Sequence, residues 1–252
     1  MESTIKYKND TYKFDLSQPL DISMSLSNTD ANVKAWYVGN PKFEPVVMGN
    51  WVGDVNQGGS VNFKNLFINP HGHGTHTECV GHISTENYTI NKCLTNYFFI
   101  AQLISVEPIE VGKDKVIVKK QIEQIINRSV QPEALVIRTL PNTKEKLTKN
   151  YSNTNPPYLH PEVCEFLVEC GIKHLLIDLP SVDAEVDGGK LLAHRAFWQY
   201  PQNTRVNCTI SELIFVPENI PDGIYLLNIQ ITSIESDASP SKPVLYKLDK
   251  VF

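Results

Sequence analysis

The chain lacks most of the features that announce a function directly. Only 23 of its 252 residues are Lys or Arg, against 28 Asp or Glu, and the basic residues are scattered apart from short pairs such as Lys119 and Lys120. Without a basic stripe there is no electrostatic footprint for a phosphate backbone, so nucleic acid is excluded as an expected partner. No apolar run reaches the roughly 18 residues of a membrane span, and the opening MESTIKYKNDTYKFDLSQ has no apolar signal core. The default expectation is a soluble cytoplasmic protein with no membrane partner. Cys79, Cys93, Cys164, Cys170 and Cys208 are odd in number and contain no C-x-x-C pair, which argues against a zinc knuckle or a redox motif and predicts free thiols. There is no repeat, no low-complexity linker and no G-x-S-x-G elbow, so a serine acyl-enzyme route of that type has no support.

What is present is an ordinary globular composition, 41% hydrophobic and 20% charged, able to bury a sizeable core. From Phe14 to about Phe67 the chain is rich in Pro and Gly and reads as irregular β structure, with brief strands near Pro45 to Met48. Phe98 to Pro108, Lys115 to Val118 and Leu135 to Arg138 read as strands, and Ile122, Ile125 and Ile126 fall at helical spacing. Pro161 opens a helix whose Val163, Phe166, Leu167 and Cys170 form an i, i+3, i+4, i+7 stripe, closed by Gly171 and followed by the strand His174 to Leu179. This predicts a β-α-β unit with a long excursion from Pro141 to His160. Cys208 to Val216 and Ile224 to Ile231, separated by Pro221-Asp222-Gly223, read as an antiparallel pair closing the sheet. The expected architecture is one α/β domain over residues 1–252, a mixed β-sheet with packed helices, to which the loop-rich segment 1–67 belongs.

Four of the seven histidines, His71, His73, His76 and His82, lie within the twelve residues HGHGTHTECVGH. Together with Glu78 and Cys79 they offer the ligand set that suits Zn²⁺, Mn²⁺ or Fe²⁺. If the segment is extended, His76 and Glu78 point to the same side and can meet one ion. The alternative is a solvated Gly/His loop that binds nothing. The polar alternation of Thr75 and Thr77 and the uncharged Val80-Gly81-His82-Ile83 speak for a segment held in the protein.

The cluster resembles the signature H-x-G-T-H-x-D-x-P-x-H of the cyclase-like metal hydrolases, the family of bacterial kynurenine formamidase and isatin hydrolase, and Gly74-Thr75-His76 matches its core. The resemblance extends over most of the chain: Asp21-Ile22-Ser23 with Trp36, Leu135 to Thr139, Ile177 to Asp183, Ala193-His194-Arg195 and the neighbourhood of Glu212. It implies the swivelling β/β/α fold, one or two divalent ions with Zn or Mn foremost, and a homodimer or homotetramer with sites near subunit interfaces. It also implies His76 as a ligand, Glu78 in place of a bridging aspartate, His82 as general acid/base, and His194 serving a second ion. Besides Glu78 for aspartate, three further positions depart from the family pattern. The first histidine falls on Gly72, between His71 and His73, with His73 slightly preferred as its replacement; Val80 stands for the proline; and the C-terminal carboxylate position falls on Ser211 beside Glu212.

Among the remaining residues, Glu212 can be read as a plain outward-facing strand residue, which a bulge could turn back to the site. Asp183 and Arg138 suit loop anchoring, His160 and His174 suit structural roles, and Cys79 could be ligand, nucleophile or packing. Trp36 and Tyr37 could line an aromatic substrate pocket. The function implied is hydrolysis of a small amide, N-formyl amine or lactam by a metal-activated water, with His82 moving the proton. The alternatives are a small-ligand-binding protein on the same fold that has lost turnover, and a metal-dependent lyase or dehydratase.

Overall fold

Residues 1–251 are described by a computed structural model. Its centre is a closed seven-stranded mixed sheet. In chain order the strands are β1 (His76–Glu78), β2 (Phe98–Val106), β3 (Ala134–Thr139), β4 (His174–Ile177), β5 (Thr209–Glu212), β6 (Gly223–Ile231) and β7 (Ala238–Lys247). Around the barrel they run β6-β2-β3-β4-β5-β1-β7, and β7 pairs back onto β6. The pairs β2–β3, β3–β4 and β4–β5 are parallel and the other four antiparallel. The helices are α1 (Pro70–His73), α2 (Ile90–Cys93), α3 (Lys119–Ile125), α4 (Pro161–Glu169) and α5 (Leu192–Trp198).

The central strands are apolar at successive positions because both of their faces are covered. Ile104, Leu135, Ile137, Leu175 and Ile177 meet Val163, Phe166, Leu167, Phe197 and Trp198 in one core, while Leu103, Val136 and Leu176 join Leu227, Ile229 and Leu245 in another. The expected β-α-β unit is present as β3-α4-β4, with Pro161 at the start of α4 and Gly171 in the left-handed region at φ 78°.

The expected pairing of the two tail strands is corrected. β5 lies between β4 and β1, whereas β6 pairs with β2 and β7, so closure comes from β7. The segment 1–67 is less irregular than expected: Glu2–Tyr7 and Asp10–Asp15 form a hairpin extended by Asp249–Val251, and Lys42–Pro45 pairs with Lys64–Phe67. Among the described residues no helix is long and apolar enough to cross a membrane.

Candidate metal centre

The site lies where β1 and β5 meet the helical layer. In their antiparallel register Glu212 is opposite His76 and Ile210 opposite Glu78. Because alternate residues share a face, His76, Glu78 and Glu212 emerge on the side where Ile210 packs under α5. Thr77 and Ser211 turn the other way and share a hydroxyl hydrogen bond of 2.6 Å. Glu212 therefore reaches the site within a regular strand, and the backbone irregularity follows it, at Leu213 with φ 51°.

His194 comes from α5. Asp183 accepts hydrogen bonds from the Ala193 and His194 amides at 2.8 and 3.1 Å and from His194 Nδ1 at 2.6 Å. That fixes the imidazole with Nε2 toward the site, 3.1 Å from Glu78 Oε1 and 3.7 Å from Glu212 Oε1. His71 comes from α1, where the Asn69 side chain caps the turn by accepting from the Gly72 amide at 3.0 Å. Its Nδ1 is 3.2 Å from Glu78 Oε2, and its Nε2 is 2.9 Å from Asp237 Oδ2. The two Glu78 oxygens thus address different partners, His194 on one side and His71 on the other, as a bridging carboxylate would.

His76 supplies the test of whether a cation fits. Its Nδ1–H donates to the Gly74 carbonyl at 2.9 Å, so Nε2 carries a lone pair. That lone pair is fully buried 3.4 Å from Glu212 Oε2, and neither His76 Nε2 nor Glu78 Oε2 has a hydrogen-bond partner. Buried acceptors without donors are costly, and two facing one another are repulsive unless a proton or a metal cation lies between them. Imidazole nitrogens and carboxylate oxygens are what Zn²⁺ or Mn²⁺ accepts. His71, His76 and Glu78 bring ligand atoms close enough together to hold an ion, as do Glu78, His82 and His194.

The electrostatics agree. Burial alone would raise the Glu78 pKa, but the imidazoles of His82, His194 and His71 around it outweigh burial and hold the carboxyl well below its usual range. Burial alone would depress His71, yet Asp237 and Glu78 raise it to about 10. His194, also opposed by burial, is raised by Asp183 and Glu78. Ionised carboxylates are already in their ligating form, and a dication bound by the imidazoles beside them would displace the imidazole protons.

One sequence expectation is corrected. His73 is turned away: its Nδ1 accepts from the Asn69 amide and its Nε2 donates to the Gly39 carbonyl, both at 2.8 Å. On a helical turn residues two apart point about 200° away from each other, so only one of His71 and His73 can face the site. Gly72 itself has no room for a side chain, since a Cβ there would lie 2.7 Å from Val38 Cγ2. Cys79 is fully buried in the core with Ile22, Ile90 and Cys93, the packing role among the three considered.

His82 stacks on His71 at 4.3 Å between ring centres, and its Nδ1 lies 3.3 Å from Asp237 Oδ2. Asp237 was not singled out from the sequence. It lies at no motif spacing from the histidines, and only the pairing of Ala238 with Glu78 across β7 and β1 brings it near. Hydrogen bonds from His71 and His82 hold its carboxyl far below the usual range. Arg138 anchors the 217–222 loop, donating to the carbonyls of Pro217 and Ile220 and to Asp222. His174 is buried against Phe99, while His160 pairs with Glu162 at the start of α4. Beside the centre opens a cavity of about 330 Å³ whose lining includes Trp36, Val38, His82, His194 and Leu191. Tyr37 is largely exposed, and its hydroxyl donates to Glu185 Oε1 at 2.9 Å at the rim.

Fold and donor set together define a cyclase-type α/β barrel with an acid- and histidine-lined centre. The Cyclase family model matches residues 14–184, and the chain belongs to that family. It is 28% identical over 232 residues to a kynurenine formamidase of Bacillus cereus, covering 91% of this chain and 97% of the relative. Isatin hydrolase A from Labrenzia aggregata superposes with a TM-score of 0.64 at 13% identity, covering 91% and 93% of the two chains. A protein from Bacillus stearothermophilus described as a predicted metal-dependent hydrolase gives 0.61 at 15% identity, over 91% and 98%. At these identities the structural likenesses establish the fold.

Proposed function

We propose that this protein hydrolyses the C–N bond of a small amide, N-formyl amine or lactam at a divalent metal centre. The observation that carries the reading is the buried lone pair of His76 Nε2, facing carboxylates and without a donor, beneath the His71 and Glu212 that line the cavity. His71, His76 and one oxygen of Glu78 would hold one ion, and His194, Glu212 and the other oxygen of Glu78 a second. Such an ion supplies a Lewis acid for the substrate carbonyl and acidifies a water toward neutral pH. The chain's own residues do the rest. Asp237 holds Nδ1 of His82, leaving Nε2 as the nitrogen that exchanges protons. His82 takes a proton from the attacking water and returns it to the departing nitrogen, which is too poor a leaving group as an anion. Trp36, Val38 and Leu191 give the cavity apolar surface for an aromatic or alicyclic acyl group.

The curated relative is by name a formamidase and the barrel neighbour an isatin hydrolase, which supports this class of bond. The free cysteines suit a reducing compartment, and we assign the activity to the cytoplasm. The test is to strip the protein with a chelator, reload Zn²⁺ or Mn²⁺, and assay N-formylkynurenine, isatin and N-formyl anilines. Metal-dependent turnover of at least one is expected. Stoichiometric metal with no turnover of any would refute the hydrolase reading.

A further inference from the structure

The long excursion between β3 and α4 takes no part in the metal centre. It lies over the C-terminal ends of β3 and β4. With the hairpin of Ile109–Val111 and Asp114–Ile117 it encloses a second cavity of about 530 Å³, which shares no lining residue with the one beside the metal centre. That volume is in the range of small-molecule sites. Leu140, Pro141, Pro156, Pro157 and Leu179 give it stiff apolar walls. The chain as a whole carries a net charge of −5, yet this cavity is lined by Lys113, Lys115, Lys146 and Lys149 against Glu107 and Glu145. Lys146 is already committed, with its ammonium 2.8 Å from Asp178 Oδ2 and donating to the Thr139 carbonyl at 2.6 Å. Among the described residues the other three lysines pair with no carboxylate, and both glutamates are exposed. Ammonium groups gathered round one space repel each other, and an anion between them turns that repulsion into attraction.

Tyr151 is the second, independent observation. It lines the same cavity and is only 3% exposed. Its backbone is fully engaged, the amide donating to the Lys34 carbonyl and the carbonyl accepting from the Thr154 hydroxyl, both at 2.7 Å. Among the described residues nothing meets its hydroxyl, which is nonetheless not sealed from solvent. Burial, with the Asp178 carboxylate nearby, raises the phenol pKa, so the group stays a donor. Lys149 Nζ lies 4.9 Å from the centre of its ring. We propose that this cavity binds an organic polyanion, a carbon skeleton bearing a phosphate or clustered carboxylates. Lys113, Lys115 and Lys149 meet the charged oxygens, the Tyr151 hydroxyl donates to one of them, and the prolines and leucines cover the skeleton. Three ammonium groups exceed what a single carboxylate needs, and the apolar walls leave a bare inorganic anion without contacts on most sides.

Isothermal titration calorimetry of the full-length protein at low ionic strength tests this, with phenyl phosphate, phthalate and inorganic phosphate as probes. Phenyl phosphate or phthalate should bind with a sub-millimolar Kd, at least tenfold tighter than inorganic phosphate, and the tighter of the two tells a phosphate ester from a dicarboxylate. Lys115 and Lys149 are exposed, so the pair Lys115→Ala and Lys149→Ala should keep its far-UV circular dichroism spectrum while binding at least tenfold more weakly. Tyr151→Phe keeps the ring in its packing and should weaken binding by about three- to tenfold, the worth of one hydrogen bond. No binding of either organic anion at about 10 mM overturns the proposal. So does binding that is unchanged in the folded lysine pair and in Tyr151→Phe, which would place the anion at the metal centre instead.

Discussion

Glu212 is the direct cross-strand partner of His76, and the two side chains bring an anionic oxygen within 3.4 Å of an imidazole lone pair. The ladder fixes their backbones, and both side chains are buried. Neither group can turn to water, so the contact is tolerable only with a proton or a metal cation shared between them.

Glu78 is the residue on which that account leans hardest, since its two oxygens meet opposite sides of the centre. Glu78→Gln keeps the size and removes the charge. Affinity for Zn²⁺ or Mn²⁺, read by competition with a chromophoric chelator, should fall by more than the about 10- to 100-fold typical of losing an outer partner. An unchanged titration would contradict the bridging role.

His71 and His73 should separate cleanly. His71→Ala should weaken metal binding at least tenfold. His73→Ala should leave it unchanged while costing about 1–3 kcal/mol of stability through its two lost backbone hydrogen bonds. Chelator competition and urea unfolding on the two variants decide this, and loss of metal from His73→Ala would reverse the assignment.

On the proposed mechanism His82 and Asp237 form the proton-handling pair. His82→Ala should keep its metal and lose about 10²- to 10⁴-fold in turnover. Asp237→Asn should also keep its metal and lose turnover by a smaller factor, and the double variant should be scarcely worse than His82→Ala, because Asp237 acts through the imidazole. Additive losses in the double variant would separate the two residues.

His174 predicts an acid limb of stability. Its Nδ1 meets Thr209 Oγ1 at 2.9 Å, and burial, with Lys173 and Arg205 nearby, pushes its pKa down to about 3. The unfolded chain takes up this proton near pH 6.5 and the folded chain refuses it. The contribution to stability is therefore complete above about pH 6.5 and is lost as the pH falls toward 3, at up to about 1.4 kcal/mol per pH unit. Urea unfolding of the metal-free protein at pH 7, 6 and 5 should show a flatter slope for His174→Gln than for the wild type, and equal slopes would exclude His174 as the cause.

Much of this was legible in the sequence where one segment carried the whole signal. The apolar runs of β2, β3 and β4 and the stripe of α4 needed no partner to be read. His76 and Glu78 were legible because an i, i+2 pair on a strand shares a face. The choice between His71 and His73 was not, because it depends on α1 being a helical turn. Closure by β7 was hidden by Pro240 and Pro243, residues that demote a segment as a strand, although both are accommodated in the ladder opposite His76 and Ile229. Asp237 became a site residue only through that strand's register.

The most direct measurement is the metal content of wild type and His76→Ala after dialysis against Zn²⁺ or Mn²⁺, with folding checked by circular dichroism. A centre built as described here gives one to two equivalents in the wild type and a folded His76→Ala protein that has lost most of its metal. Less than a tenth of an equivalent in the wild type, or equal metal in both proteins, would contradict it.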